Sequence, residues 1–168
     1  MQTEYPPQFE HLKDLVRVVV PEIEDLYTPL NEQGAAYARV RERGLTMHVP
    51  LWALSDGTIH TLAILTALLT PDPAPVMCFE EPENFVHPRV LDVLVEAFRE
   101  ASESAQILIS THSPYLLNLL DPKDVVVVEK AEGATIAKPA TKMTGLTDAL
   151  GALGLGEAWY SGAIGGVP

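Results

Sequence analysis

The sequence has a single cysteine, few basic residues and no long apolar run, and each shortage excludes a class of protein. One cysteine, Cys78, cannot form an internal disulfide framework and is typical of the reducing cytoplasm, where we expect the protein. The 11 lysines and arginines are outnumbered by 23 aspartates and glutamates, so a net charge of −12 disfavours non-specific binding to nucleic acid. The longest apolar helical segment, residues 59–69, is too short to cross a bilayer, so we expect no membrane partner. The polar, proline-broken first residues predict no secretory signal.

The chain does contain enough apolar residues for a folded core. It has 168 residues, of which 47% are hydrophobic and 20% charged, a composition typical of a soluble globular domain. Apolar residues recur at helical spacing over residues 8–20, between the proline pair Pro6-Pro7 and Pro21, and predict an amphipathic helix. Alternation over residues 35–43 and 45–51, with a turn at Arg43-Gly44, predicts a β-hairpin. Residues 57–69 predict a helix that is apolar nearly all round and therefore buried.

The middle of the chain alternates between short apolar strands and helices. The strands are predicted at residues 76–79, 107–109 and 125–128, with helices at 88–102 and 115–120. This order predicts an α/β domain with a mainly parallel sheet, whose strands are covered on both faces. Beyond it we expect one more strand, a helix over residues 146–153 and a loosely ordered, glycine-rich tail.

Two adjacent glutamates, Glu80 and Glu81, directly follow the apolar strand that begins at Val76. In an open parallel sheet, ligands bind at the carboxyl ends of the strands. One carboxylate can hold Mg²⁺, directly or through water, while the other polarises an attacking water. The alternative is that both glutamates lie in a solvated loop. Like charges at the rim of a core resist desolvation, so the position of the pair directly after an apolar strand favours a functional site.

Two further polar stretches occupy comparable positions. "ILISTHSP" ends the next strand with His112, which can donate a hydrogen bond to a phosphate or a reacting water, or serve as a structural histidine. "LSDGT", residues 54–58, precedes the apolar helix. There Ser55 and Gly57 can leave backbone N–H groups facing an anion, or Ser55 or Asp56 can simply cap the helix.

In this order, the three stretches resemble the C-terminal half of an ABC-type ATPase domain of the RecF/SMC-like AAA family ATPases. "LSDGT" resembles the ABC signature, "VMCFEEP" resembles Walker B with its catalytic glutamate, and "ISTHSP" resembles the switch-histidine loop. The resemblance runs from about residue 35 to residue 128. It implies an α/β fold, the C-terminal part of an ABC-type P-loop ATPase, with a mainly parallel sheet flanked by helices and an N-terminal helix and β-hairpin. It also implies a single partial domain with segments 1–53, 54–130 and 131–168.

The resemblance assigns roles to individual residues, with ATP and Mg²⁺ as the cofactors of the completed domain. Glu81 would be the general base, His112 would sense the γ-phosphate, and Glu80 would be the Mg²⁺-associated acid. Ser55 and Gly57 would contact the γ-phosphate of a nucleotide held by a second subunit. Asn84 would be a nucleotide-binding residue, because it lies with Glu83 and His87 where such proteins have the D-loop and its following helix.

The sequence departs from the family pattern in three places. Walker B ends in Glu80 where aspartate is usual, and the signature has Asp56 and Thr58 in place of glycine and of glutamine or glutamate. Asp56 can either repel a phosphate or cap the helix. The largest departure is the P-loop, since a chain without a Gly-Lys pair cannot contain G-x-x-x-x-G-K-[ST].

The missing P-loop implies a half-domain whose partner is a Walker A-bearing half or a second ATPase subunit. We expect the isolated chain to be inactive, to bind no cofactor tightly and to self-associate, most simply as a homodimer. DNA repair and phage defence are the contexts that the resemblance suggests.

Two other functions are compatible with the sequence. In a metal-dependent nuclease, the acidic residues and histidines of these stretches would gather around divalent ions, although no Asp-x-Asp motif follows the third strand. In a catalytically silent interaction module, the chain would only pair with a full ATPase. Arg39, Arg41 and Arg43 share one strand face and can contact such a partner or DNA, or form a solvated face.

Overall fold

The computed structural model describes residues 2–166 and divides into two compact units, the first ending at Ser110 and the second beginning at Thr111. The first unit contains α1 (Pro6–Val19), β1 (Ile23–Tyr27), β2 (Arg39–Glu42), β3 (Val49–Pro50), α2 (Asp56–Leu68), β4 (Val76–Glu80), α3 (Pro88–Ala101) and β5 (Gln106–Ser110). The second unit contains α4 (Pro114–Asn118), β6 (Val126–Ala131), β7 (Ala134–Pro139), α5 (Leu146–Leu150) and α6 (Leu155–Tyr160). Among these described residues, no helix is both long and apolar enough to span a bilayer.

Helix α1 confirms the amphipathic segment predicted at the start of the chain. Prolines occupy its first turn, where a missing N–H costs nothing, and the helix ends just before Pro21. Phe9, Leu12 and Val16 are buried at helical spacing. The helix is tied to β1 by an ion pair of 2.9 Å between Lys13 Nζ and Asp25 Oδ1.

Strands β1, β2 and β3 form an antiparallel sheet in that order. Val40 pairs with Val49, which confirms the predicted hairpin, but its strands are shorter than predicted and a loop over residues 43–48 replaces a tight turn. Strand β1 was not predicted. An irregularity between Ile23 and Asp25 breaks its period of two, so that Ile23 and Leu26 are the buried residues and simple alternation is lost.

Strands β4 and β5 form the parallel pair that the alternation of elements predicts, with α3 as the crossover. Their register runs from Val76 opposite Gln106 to Glu80 opposite Ser110. On one face, the Phe79 ring packs edge-on against Phe98 of α3, with the ring centroids 5.0 Å apart. Because the register is parallel, both strands end at the same edge of the sheet. The α/β class is confirmed.

The prediction that β4 and β5 are buried on both faces is wrong for the described residues. Val76 is 48% exposed and Leu108 is 49% exposed, and both strands alternate between exposed and half-buried positions. Helix α2 likewise leaves Ala63 and Ala67 exposed, although its sequence predicts burial all round. A continuous apolar run indicates a strand that is stable when both of its faces are packed against other elements. In the first unit, one face of the parallel sheet is packed much better than the other.

In the second unit, β6 pairs antiparallel with β7 rather than extending a parallel sheet, which corrects the prediction for this strand. Only Glu132 and Gly133 separate the two strands, and both have positive φ, 51° and 83°. A two-residue turn of this kind reverses the chain and forces antiparallel pairing.

The glycine-rich end is packed up to the last described residue, which corrects the expectation of a loose tail for residues 161–166. Helix α5 ends at Leu150, and a further short helix, α6, follows it. Ile164 is only 2% exposed and belongs to the C-terminal cluster, the buried residues Leu146, Leu155, Ala158 and Ile164. Residues 167 and 168 of the predicted tail lie outside the described residues.

Candidate nucleotide-facing site

The signature-like stretch forms the N-terminus of α2. Ser55 is the N-cap residue: its Oγ accepts a hydrogen bond of 3.1 Å from the backbone N–H of Thr58 and lies 2.8 Å from Thr58 Oγ1. Asp56 is in the first turn, where a carboxylate interacts favourably with the helix dipole. The capping interpretation of Ser55 is thus confirmed, whereas its contact with a nucleotide stays a prediction.

Gly57 brings the loop after β4 against this helix end. A Cβ at Gly57 would overlap the backbone carbonyl oxygen of Phe85, so only glycine fits at this separation. Phe85 itself has a positive φ of 64°. The close approach forms a pocket of about 170 Å³ whose lining includes Ser55, Gly57, Thr58, Phe85 and His87.

The predicted acidic pair lies at the carboxyl end of the parallel sheet. Glu80 is the last residue of β4 and is exposed. The backbone N–H of Glu81 donates to the carbonyl of Ser110 at 2.9 Å, which continues the strand pairing by one bond. Glu81 has a φ of 44°, a left-handed conformation that costs a non-glycine residue about 1–2 kcal/mol. The chain therefore turns sharply out of the sheet at the residue predicted to be the base.

Asn84 holds the Glu81 carboxylate directly. Asn84 Nδ2 donates to Glu81 Oε2 at 2.7 Å, and the backbone N–H of Asn84 donates to the carbonyl of Glu81 at 3.0 Å. Two hydrogen bonds from one residue fix the Glu81 backbone and side chain relative to each other. The structure thus brings two of the predicted site residues together in one turn.

His87 is a helix cap. Its Nδ1 accepts a hydrogen bond of 3.2 Å from the backbone N–H of Arg89, at the start of α3. In this arrangement Nδ1 carries no proton, since it acts as an acceptor.

His112 belongs to the second unit and is exposed. It precedes Ser113, whose Oγ accepts a hydrogen bond of 3.2 Å from Leu116 N–H and caps α4. The His112 ring lies against Trp159 of α6, with ring centroids 6.2 Å apart and planes tilted by 40°. Trp159 was not singled out by sequence reasoning, because the two residues are far apart along the chain and no local pattern links them.

The two alternative functions gain little from the geometry. Within residues 2–166, no group of three or more His, Cys, Asp or Glu side chains could hold a metal ion together, so this part of the chain does not assemble the nuclease arrangement. Of the three arginines, Arg41 and Arg43 lie 3.2 Å and 4.0 Å from the carboxylate of Glu24. Arg39 lies over the Tyr37 ring at 4.6 Å. The Glu24 carboxylate offsets part of the positive charge of Arg41 and Arg43 that a nucleic acid would need.

Comparisons with solved structures define the fold. A chain from structural work on ATP-driven dimerization and DNA-stimulated activation of SMC ATPases matches with a TM-score of 0.63 and 14% identity, over 80% of this chain and 83% of that chain. An SMC head bound to the C-terminal winged-helix domain of ScpA matches with a TM-score of 0.66 and 13% identity, over 80% and 42%. The SMC head of Pyrococcus furiosus, with an extended coiled coil and the C-terminal domain of ScpA, matches with a TM-score of 0.64 and 14% identity, over 82% and 36%. The fold is that of an ABC-type P-loop ATPase.

The family follows from a sequence comparison. The family model described as "AAA domain, putative AbiEii toxin, Type IV TA system" matches residues 6–118, about two thirds of the chain, and the chain belongs to this family. No curated protein sequence matches at a significant level. The chain spans less than half the length of the second and third SMC heads, although it is similar in length to the first matched chain.

Proposed function

We propose that this chain supplies the signature, Walker B and switch-histidine parts of an ABC-type ATPase, and that a Walker A-bearing half completes the domain. The observation that carries the proposal is the junction after β4. There the Glu81 carboxylate, held by Asn84, and the capped N-terminus of α2 are joined through the contact of Gly57 with Phe85. One short loop thus links an acidic strand end to an anion-compatible helix end.

In this function, Glu81 accepts the proton of the attacking water. Asn84 orients the carboxylate by donating a hydrogen bond to Oε2. Glu80, at the end of β4, is the residue that would hold Mg²⁺, since carboxylate oxygens suit this hard cation. When bound, Mg²⁺ would neutralise charge on the β- and γ-phosphates. Ser55 and Gly57 would contact the γ-phosphate of a nucleotide held by a second subunit. His112 would sense the γ-phosphate.

The exposed face of the parallel sheet is the surface that we assign to the Walker A-bearing partner. Val76, Cys78 and Leu108 are exposed along it. An open groove of about 510 Å³ runs beside Glu80 and Ser110, at the same edge as the acidic pair. An unpaired strand and an apolar face are surfaces that proteins normally cover. A partner bound here would lie next to the carboxylates that act on its nucleotide.

The experiment joins this chain to a Walker A-bearing chain, first the product of the coding sequence immediately upstream. We expect the mixture to hydrolyse Mg-ATP. Glu81→Gln should reduce turnover by about 10²–10⁴-fold while nucleotide binding persists, because the amide keeps the shape of the side chain but cannot accept the proton. The matched control is Glu103→Gln, the same change at an exposed residue beyond α3, which should leave turnover unchanged.

Two results would count against the proposal. Full turnover of the Glu81→Gln mixture would mean that another group is the base. A stable complex in which wild-type Glu81 gives no hydrolysis above background would instead favour the silent interaction module.

A further inference from the structure

Helix α6 is fastened to the helix that follows His112. A Cβ at Gly156 would overlap the carbonyl oxygen of Pro114, so the two backbones meet without a side chain between them. The side chain of Asn118 bridges the same contact. Its Oδ1 accepts a hydrogen bond of 2.7 Å from Gly156 N–H, and its Nδ2 donates to Glu157 Oε1 at 3.1 Å.

Trp159 projects from this fastened helix and is held on two sides. Its ring packs against the C-terminal cluster. Its Nε1 donates to the carbonyl of Gly166 at 3.2 Å, and Gly166 has a positive φ of 78° that few other residues would adopt. The indole is half-buried, whereas the His112 ring next to it is exposed. A fixed aromatic surface therefore lies beside the exposed imidazole.

We propose that Trp159 is a positioning residue for His112, so that the C-terminal segment takes part in the ATPase cycle by orienting the γ-phosphate sensor. This rests on the function proposed above. A separation of 6.2 Å between ring centroids is within the range of favourable aromatic pairs. An aromatic ring at this distance limits the rotamers that the His112 side chain can adopt, and only some rotamers direct its N–H towards a phosphate.

The contact is tested on the full chain alone, by NMR of the histidine rings. The His112 signals are assigned by their loss in His112→Gln. Trp159→Leu should move the His112 ring signals, because the ring current is lost, and should leave those of His11, His48 and His87 in place. Trp159→Phe, which keeps an aromatic ring, should retain part of the shift. Trp52→Leu is the matched control, since Trp52 is 84% exposed and is not part of this contact, and it should leave the His112 signals unchanged. Unmoved His112 signals in Trp159→Leu would overturn the proposal.

The positioning role is tested in the ATPase assembled with the Walker A-bearing chain. Trp159→Leu should lower kcat by about tenfold with KM for ATP within about twofold, because orientation is lost and binding is not. The Phe variant should recover most of the loss. Combined with His112→Gln, the Leu variant should add no further loss, since both changes act through the same ring.

The two proposals fail in different ways. An assembly that hydrolyses ATP at the full rate with Trp159→Leu overturns the positioning role and leaves the ATPase function intact. An assembly with no hydrolysis at all overturns the ATPase function, and the NMR measurement still decides whether Trp159 contacts His112.

Discussion

The parallel sheet of the first unit and the C-terminal cluster of the second are both rich in apolar residues, but they expose those residues very differently. Val76 and Leu108 of the sheet are each about half exposed, at 48% and 49%. Leu155 and Ile164 of the cluster are exposed by only 4% and 2%. The C-terminal cluster is covered by residues of its own segment, whereas one face of the sheet stays exposed. Apolar residues thus form a packed core in one region and an open surface in the other.

The largest effect should come from a substitution that leaves a cavity in the C-terminal cluster. Ile164→Ala should lower the free energy of unfolding by about 2–5 kcal/mol, because it leaves a cavity in a packed cluster. Val128→Ala is the matched control in the same unit: Val128 is 57% exposed, and its loss should cost less than about 0.5 kcal/mol. Urea unfolding followed by tryptophan fluorescence measures both. Equal losses in the two variants would mean that the cluster is not a core.

A smaller effect is expected at the open face of the sheet. We expect the chain to self-associate through it, and Leu108→Glu should weaken that association by about tenfold or more, since a charge cannot be buried there without a partner. Met47→Glu is the control, because Met47 is 73% exposed in the loop between β2 and β3. Sedimentation velocity gives both constants. A monodisperse, heat-stable wild-type monomer at micromolar concentration would show that the chain closes its own surface.

The smallest effect concerns the stability of the fold at low pH. Burial alone would raise the pKa of Asp25, but hydrogen bonds, chiefly from Lys13, outweigh it and hold that pKa below its ordinary value of 3.8. A lowered folded-state pKa contributes stability above pH 3.8 that is lost as the pH falls through the folded value. Asp25→Asn should therefore lower the free energy of unfolding by at most about 1 kcal/mol at neutral pH. It should also make that free energy depend less on pH in the acidic range.

Amide hydrogen exchange measures the effect of low pH separately on the contact between α1 and β1 and on the C-terminal cluster. As the pH falls below 4, protection should fall first where α1 meets β1, which are joined by the Lys13–Asp25 pair, and the uncharged C-terminal cluster should keep its protection. Simultaneous loss in both regions would contradict this account.

The elements that sequence reasoning found are those whose pattern is local. The stripe of α1, the amphipathic α3 and the short apolar strands β4 and β5 each follow from spacing within one segment. The link between Glu81 and Asn84 is also local, because the two residues are three positions apart in one turn.

The features that sequence reasoning missed depend on contacts between distant segments. The closeness of Gly57 to Phe85 and of Gly156 to Pro114 arises only when segments far apart along the chain meet, so no local pattern predicted it. The contact of His112 with Trp159 is of the same kind. Strand β1 was missed because its irregular register breaks the alternation of buried and exposed residues. The exposure of β4 was missed because an apolar run does not show whether both of its faces are covered.

The most direct test of the central claim is calorimetric titration of Mg-ATP into this chain alone and into its complex with the Walker A-bearing chain. The P-loop's backbone N–H groups and lysine supply the main contacts to the phosphates, and this sequence has no Gly-Lys pair. We therefore predict no measurable binding to the isolated chain at micromolar concentrations and clear binding to the complex. Micromolar binding of Mg-ATP by the isolated chain would contradict the claim.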